Sequence, residues 1–146
     1  MLSATRKTLR TPAALADAGL IPTATVPSLE QVARQFAVAV TPEIADLIAQ
    51  DAPDDPIARQ YLPDPAELQI LPSELSDPIG DDTHSPIPGI VHRYPDRVLL
   101  KPVHICPVYC RFCFRREAVG PTGAGTLNES ELQDALAYIE NHTASW

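Results

Sequence analysis

All three cysteines of the chain lie within eight residues, at Cys106, Cys110 and Cys113. Thiolates at spacings of four and three can bind three irons of a cubane [4Fe–4S] cluster and leave its fourth iron open. An open iron can bind and reduce a ligand, so the pattern predicts a chemical site rather than a purely structural one. The aromatic Phe112 stands directly before the last cysteine. The segment is flanked by arginines that can screen cluster charge and grip carboxylates: Arg111, Arg115 and Arg116.

Two other interpretations of the cysteines are open from the residues alone. A zinc site would combine the three thiolates with His104 or His92 as fourth ligand, and unligated thiols are the simplest case. Structural zinc sites usually carry their cysteines in pairs separated by a longer loop. The crowded spacing therefore favours an iron–sulfur cluster over zinc. We expect both histidines to be hydrogen-bonded structural residues rather than ligands.

Length and composition indicate one acidic domain. The chain has 146 residues and a formal net charge of −8, from 19 acidic and 11 basic side chains. No basic face offsets that charge, which argues against nucleic-acid binding. The odd number of clustered cysteines suits a reducing compartment. Neither a secretory signal nor an apolar run of membrane-spanning length is evident, so a soluble, cytoplasmic protein is expected.

The first half of the chain predicts short helices followed by an extended, proline-rich stretch. Helices are expected to begin at Thr11, near Pro27 and at Thr41, because a capping residue or a proline stands at each start. From Asp51 to Asp82 the chain is acidic and rich in proline, with one short helix near Ala66–Leu68. This stretch is expected to form an ordered wrap or linker.

The last third predicts a strand, the cysteine segment and a helix. Val98–Val103 is a short apolar run typical of a buried parallel strand, and Asn128 caps a helix with an acidic residue at its third position. This order predicts an α/β fold, with the first βα unit of a barrel or open sheet. A lone parallel strand cannot bury its side chains. We therefore expect an N-terminal piece of a longer protein, with a helical and proline-rich region at 1–80 and the barrel start at 81–146.

The stretch from Asp77 to Glu117 resembles the lysine 2,3-aminomutase family of radical S-adenosylmethionine enzymes. The cysteine signature marks the superfamily, and the run HSPIPGIVHRYPDRVLL, His84 to Leu100, marks the family. A weaker similarity includes residues 54–60. The resemblance implies a radical S-adenosylmethionine partial (β/α) barrel, truncated here. It also implies an isomerase that moves the α-amino group of lysine to the β-carbon with three cofactors: a [4Fe–4S] cluster, S-adenosyl-L-methionine and pyridoxal 5′-phosphate.

The resemblance assigns roles around the cluster by position. Cys106, Cys110 and Cys113 anchor the metal. Phe112 packs against the adenine of S-adenosylmethionine or shields the cluster. Arg115 pairs with the α-carboxylate of an amino-acid substrate, which suits the geometry of a guanidinium group.

A second group of residues is assigned to pyridoxal phosphate by the same resemblance. Arg93 and Arg97 hold the phosphate, and Tyr94 lies against the pyridine ring. A guanidinium suits phosphate, and a phenol ring offers a stacking face. Without the resemblance, the same residues could simply be solvated side chains around a turn at Pro95 and Asp96.

The sequence departs from the family pattern beside the last cysteine. Phe112 and Phe114 stand where lysine aminomutases carry a histidine and a threonine, and Glu117 follows the arginine pair. This variant favours the branch acting on a protein lysine, as in elongation factor P modification, and another amino acid such as glutamate is an alternative. The implied partners are this substrate, an electron donor such as flavodoxin or ferredoxin, and a second copy of the chain.

Several functional segments of the family lie downstream of the matched region. They are its glycine-rich S-adenosylmethionine segment, its pyridoxal lysine and its acidic pocket for the lysine side chain. The two lysines present, Lys7 and Lys101, do not match the pyridoxal position. No catalytic residue is therefore assigned, and the chain alone is expected to lack catalysis.

Overall fold

A computed structural model describes residues 7–49, 54–116, 118–119 and 125–143. Glu117 and the start of the proline-rich stretch, 51–53, lie outside the described residues. The α-helices of the described part are α1 Pro12–Asp17, α2 Val26–Gln35, α3 Pro42–Leu47, α4 Pro56–Tyr61 and α5 Glu129–Thr143. Its strands are β1 Ile90–Tyr94 and β2 Arg97–Leu100, and its short 3-10 turns are Thr23–Thr25, Pro65–Leu68 and Asp82–His84. None of these helices is long and apolar enough to cross a membrane.

Proline and capping side chains begin the N-terminal helices. Helices α1 to α4 each carry a proline in their first two positions, where its fixed φ suits the helix and its missing N–H is not needed. The Thr11 hydroxyl accepts a hydrogen bond from Ala14 N at 3.1 Å, and Gly19 follows α1 with a φ of 73°. The helices predicted at Thr11, near Pro27 and at Thr41 are thus confirmed.

Local capping also forms the two short elements that follow. Asp55 caps α4, a helix that the sequence pattern did not predict, by accepting hydrogen bonds from Ile57 N at 3.3 Å and Ala58 N at 3.1 Å. The short helix predicted near Ala66–Leu68 is present as the 3-10 turn Pro65–Leu68. Apolar residues of both elements, Ile57 and Leu68 among them, pack against the helices that precede them.

Two small apolar clusters hold the helical part together. The first is formed by four buried residues: Leu15, Val38, Val40 and Ile48. The second lies on α2 and its last turn: Leu29, Val32 and Phe36. Because both clusters lie before residue 50, the helical part has an apolar core of its own.

The apolar run at Val98–Val103 contributes to an antiparallel hairpin, so the predicted parallel strand is wrong. Strand β2 pairs with β1, with Ile90 opposite Leu100. The turn at 95–96 reverses the chain directly before β2, which fixes the antiparallel direction. Leu99 is 44% exposed, so the strand is also less buried than expected. The described residues therefore form a mixed fold of helices and a small antiparallel sheet, without the expected parallel βα unit.

Helix α5 begins where the sequence predicts and contacts the hairpin. Asn128 Oδ1 accepts from Glu131 N at 3.0 Å, and Asn128 N donates to the Glu131 carboxylate at 2.9 Å. This reciprocal pair is a capping box. The Tyr138 hydroxyl lies 2.7 Å from His92 Nδ1 in β1, which confirms His92 as a hydrogen-bonded structural residue.

Candidate functional site

The cysteines lie on an irregular loop, residues 104–116, which we call the cysteine loop. All three are half-buried and free. Cys113 N donates to Cys110 O at 3.2 Å, so one turn joins these two residues. Both line a cavity of about 10 Å³ together with Phe36, and Cys106 is not among its lining residues. The structure thus brings together two of the three predicted ligands.

The cysteines have the donor chemistry of a cluster site but are not gathered around one point. Over the described ranges, no group of three or more His, Cys, Asp or Glu side chains is arranged to hold a metal ion. The same holds for the zinc alternative, since neither His92 nor His104 completes such a group. Three free thiols still fit three corners of an iron–sulfur cubane. Binding one joins Cys106 to the turn that Cys110 and Cys113 share.

Arg111, between the last two cysteines, is buried and bound by the helical part. Its side chain is 6% exposed. Its Nε and Nη2 donate to the Glu67 carboxylate at 3.0 and 2.5 Å, and its Nη1 donates to Ala37 O at 2.7 Å. Two parallel bonds from a guanidinium to one carboxylate form the bidentate geometry that only arginine offers. Arg111 therefore binds a carboxylate of the protein itself, that of Glu67.

A second carboxylate, Asp81, is shared by three cations. Arg115 Nε lies 2.9 Å and Lys101 Nζ 3.3 Å from Asp81 Oδ2, and Arg93 Nη2 lies 3.8 Å from Asp81 Oδ1. Asp81 is only 8% exposed. A cavity of about 250 Å³ is lined by Asp81, Lys101 and Arg115, among others. Arg115, the predicted substrate residue, therefore already contacts a carboxylate beside an open cavity.

The charge at this second site is set by its neighbours. Burial raises the pKa of Asp81, but hydrogen bonds and charge from Arg115 and Lys101 outweigh burial, so the pKa lies below its ordinary value. The Asp82 backbone N–H is the main cause of the lowered pKa of Asp77. Asp77 accepts hydrogen bonds from Asp81 N at 2.9 Å and Asp82 N at 2.8 Å. Asp77 thus fixes the turn that presents Asp81 to the cations.

The residues assigned to pyridoxal phosphate lie on the hairpin with separate partners. Arg93 donates to the Ile79 carbonyl, whereas Arg97 pairs with Asp96 at 3.1 Å. The Arg97 guanidinium also lies 4.9 Å from the centroid of the Tyr94 ring, which is 51% exposed. The structure does not gather the two arginines around one point, and their joint role at a phosphate stays a prediction.

The remaining residues of the loop differ in exposure. Phe112 is 70% exposed, which leaves its ring accessible for the predicted contact with adenine or the cluster. The Arg116 guanidinium lies 4.3 Å from the centroid of the Phe36 ring and 3.8 Å from the Glu74 carboxylate. Arg116 therefore attaches the end of the cysteine loop to the apolar cluster on α2.

Comparison with curated proteins shows what the chain is similar to. The L-lysine 2,3-aminomutase of Clostridium subterminale is 39% identical over 111 residues, which are 76% of this chain and 26% of that enzyme. The enzyme of the same name in Bacillus subtilis is 41% identical over 100 residues, 68% of this chain and 21% of its own length. The Escherichia coli enzyme is 37% identical over 107 residues, 73% and 30% of the two chains. By sequence, the chain belongs to the lysine 2,3-aminomutase family.

Membership in the lysine 2,3-aminomutase family confirms the resemblance found in residues 77–117. It relates the chain to isomerases named for moving an amino group. No protein-family model matches the chain. The chain spans about a quarter of the length of the curated relatives it matches, 26% and 25% for two of them.

Two acidic residues of the present chain, a relative of the lysine 2,3-aminomutases, were not predicted as site residues from the sequence. Glu67 lies 44 residues from Arg111, and Asp81 lies 20 and 34 residues from Lys101 and Arg115. Residues so far apart in the sequence form no short motif, so these ion pairs cannot be predicted from spacing. The one local signal is the segment Asp-Pro-Ala-Glu beginning at Asp64, whose capping box orients Glu67.

Proposed function

We propose that the chain is the cluster-binding segment of a radical S-adenosylmethionine enzyme of the 2,3-aminomutase kind, dependent on pyridoxal phosphate. One observation carries the proposal: in a lysine 2,3-aminomutase relative, three free, half-buried cysteines share one loop. In this proposal residues 1–80 are the helical support. Residues 81–146 carry the cysteine loop at the start of the radical S-adenosylmethionine domain, with the antiparallel hairpin before it.

The cysteines and Phe112 are the residues that hold and shield the cluster. Cys106, Cys110 and Cys113 bind three irons, and Phe112 packs against the cluster or the adenine of S-adenosylmethionine. When bound, the cluster with S-adenosylmethionine supplies radical chemistry, and pyridoxal phosphate activates the amino group that migrates. The chain's part is to keep the thiolates together and the loop in place.

Arg115 is proposed to bind the carboxylate of the substrate. Its present partner Asp81 carries the same chemical group, and the Arg115 side chain is 31% exposed, so an incoming carboxylate can reach it. Lys101 and Arg93 compensate Asp81 when Arg115 turns away. The substrate is therefore an α-amino acid: lysine, free or protein-linked, with another amino acid such as glutamate as the alternative.

The hairpin is proposed to contribute to the pyridoxal phosphate site. Arg93 and Arg97 bind the phosphate, and Tyr94 lies against the pyridine ring. The exposure of Tyr94 and the cation over its ring support an accessible stacking face. Both arginines must leave their present partners to share one phosphate.

The partners and compartment follow from the proposed chemistry. Cluster reduction needs a protein electron donor such as a flavodoxin or ferredoxin. We propose a cytoplasmic location, because a reducing compartment keeps the cysteines available as thiolate ligands. A homo-oligomer is part of the same proposal.

Anaerobic reconstitution of the chain with iron and sulfide tests the proposed function. We expect bound iron and sulfide, visible absorbance, and an electron paramagnetic resonance signal on reduction that changes when S-adenosylmethionine is added. A Cys113→Ser variant should lose the signal, and a Ser28→Ala variant, whose exposed hydroxyl donates to Thr25 O within its own turn, should keep it. A colourless protein with one zinc per chain would instead support the zinc-binding structural module, and a signal indifferent to S-adenosylmethionine would contradict the open iron.

A further inference from the structure

Glu67 is fixed in place by its own short turn. Its carboxylate Oε1 accepts a hydrogen bond from Asp64 N at 2.9 Å, while Asp64 Oδ1 accepts one from Ala66 N at 2.7 Å. The Glu67 side chain is only 13% exposed. The carboxylate that meets Arg111 is therefore held by neighbouring backbone and has little freedom to follow a moving partner.

Both neighbours of Cys110 are attached to the helical part through their backbones. Tyr109 N donates to Ala39 O at 3.1 Å, and Arg111 N donates to Gln60 O at 2.7 Å. The Arg111 side chain adds its three bonds from the same position. Cys110 is thus held from the residue before it and from the residue after it.

The beginning of the cysteine loop is attached elsewhere. His104 N donates to Gly125 O at 2.6 Å, and Val103 forms an isolated bridge with Thr126. The segment before Cys106 is therefore attached to the segment that leads into α5. Cys110 and Cys113 are attached to the helical part instead. A ligand that binds all three thiols has to connect these two parts.

We propose that the Arg111–Glu67 pair positions Cys110 and Cys113 for the cluster, so that assembly consists of bringing Cys106 to a pair already in place. The inference rests on the proposed function, because it concerns the same cluster. Arg111 and Glu67 are positioning residues and touch no iron. Residues that orient metal ligands typically change metal affinity by about 10- to 100-fold when they are replaced.

Matched single-group changes test the positioning role. Glu67→Gln removes the charge and keeps the shape, and Arg111→Lys keeps the charge and loses the bidentate fork. Glu74→Gln is the control, because Glu74 faces Arg116 of the same loop at 3.8 Å and is 41% exposed. After reconstitution with iron and sulfide, the rate at which a chelator removes iron is measured, with circular dichroism to confirm folding. We expect both test variants to lose iron about 10- to 100-fold faster than the native chain and the control to match it.

The possible results separate this inference from the proposed function. A native chain that takes up no iron refutes the proposed function. A native chain that takes up iron, with folded test variants that retain it equally well, overturns the positioning role. If the variants do not fold, hydrogen exchange in the native chain decides. The Tyr109 and Arg111 amides, which donate to Ala39 O and Gln60 O, should then exchange slowly before any cluster is loaded, and fast exchange of both amides in the iron-free chain overturns the inference.

Discussion

The chain contains two arginine–carboxylate sites beside the same loop, and they are built differently. At the first, one guanidinium meets one carboxylate through two parallel bonds, and the Arg111 and Glu67 side chains are 6% and 13% exposed. At the second, Asp81 is shared by three cations whose side chains are 18% to 34% exposed. The first site is nearly buried, although both of its residues also line a cavity of about 520 Å³. At the second site Asp77 and Asp82 line the same cavity as Asp81, so the three cations face several acids rather than one committed partner.

The difference is consistent with the separate roles proposed for these two neighbouring arginines. Arg111 has its donors committed to groups that cannot leave without exposing a buried charge, so it holds structure. Arg115 shares its partner with two other cations beside an open cavity, so it can exchange that partner for a ligand. Residue type and distance from the cysteines are similar for both. The number of partners and their burial decide the role.

The largest expected change in stability follows from breaking the buried pair of Arg111 and Glu67. Glu67→Ala leaves the Arg111 guanidinium buried without its partner, which should lower the free energy of unfolding by about 3–5 kcal/mol. Urea unfolding followed by circular dichroism measures the change. The double variant with Arg111→Ala should lose less than the sum of the two single changes, since both remove the same interaction. Additive losses would contradict the pairing.

A smaller loss is expected at the shared site. Asp81→Asn keeps the shape and removes the charge, and the three cations can turn towards water because they are partly exposed. We expect the free energy of unfolding to fall by about 1–3 kcal/mol, again by urea unfolding. A loss as large as that of Glu67→Ala would show that the two sites do not differ as described.

The shared site should also make stability depend on pH in the acid range. Because the pKa of Asp81 and that of Asp77 are lowered in the folded chain, their contribution is complete above the ordinary aspartate pKa of about 3.9. It is lost as pH falls through the lower folded values. The unfolding midpoint of Asp81→Asn should therefore fall less than that of the native chain between about pH 5 and pH 3. If the unfolding midpoints of the two proteins fall equally, Asp81 does not contribute to the pH dependence of stability.

The smallest effect is expected for an exposed pair of the same type. Glu74→Gln removes one partner of Arg116, whose guanidinium also lies against the Phe36 ring. Exposed pairs contribute little, so the free energy of unfolding should change by less than about 0.5 kcal/mol. If the thermal unfolding midpoint shifts as much as that of Asp81→Asn, the exposed pair contributes as much stability as the shared site, which contradicts the prediction.

Local chemistry could be predicted from the sequence, and distant pairing could not. The cap at Thr11, the reciprocal cap at Asn128 and the crowded cysteines depend on residues within a few positions of each other. The direction of β2 depends on its partner β1, which the apolar run does not encode. The partners of Arg111 and Arg115 lie 44 and 34 residues away, so only the folded chain reveals them.

The double use of Glu67 has a consequence for the order in which the molecule assembles. Its contact with Asp64 spans three residues, whereas its contact with Arg111 closes a loop of 44, and short loops close far more readily than long ones. Because the chain is made from its N-terminus, the turn that holds Glu67 can form before the cysteines leave the ribosome. The cysteines are made after this turn and before α5, so they can bind to the helical part as soon as they are synthesised.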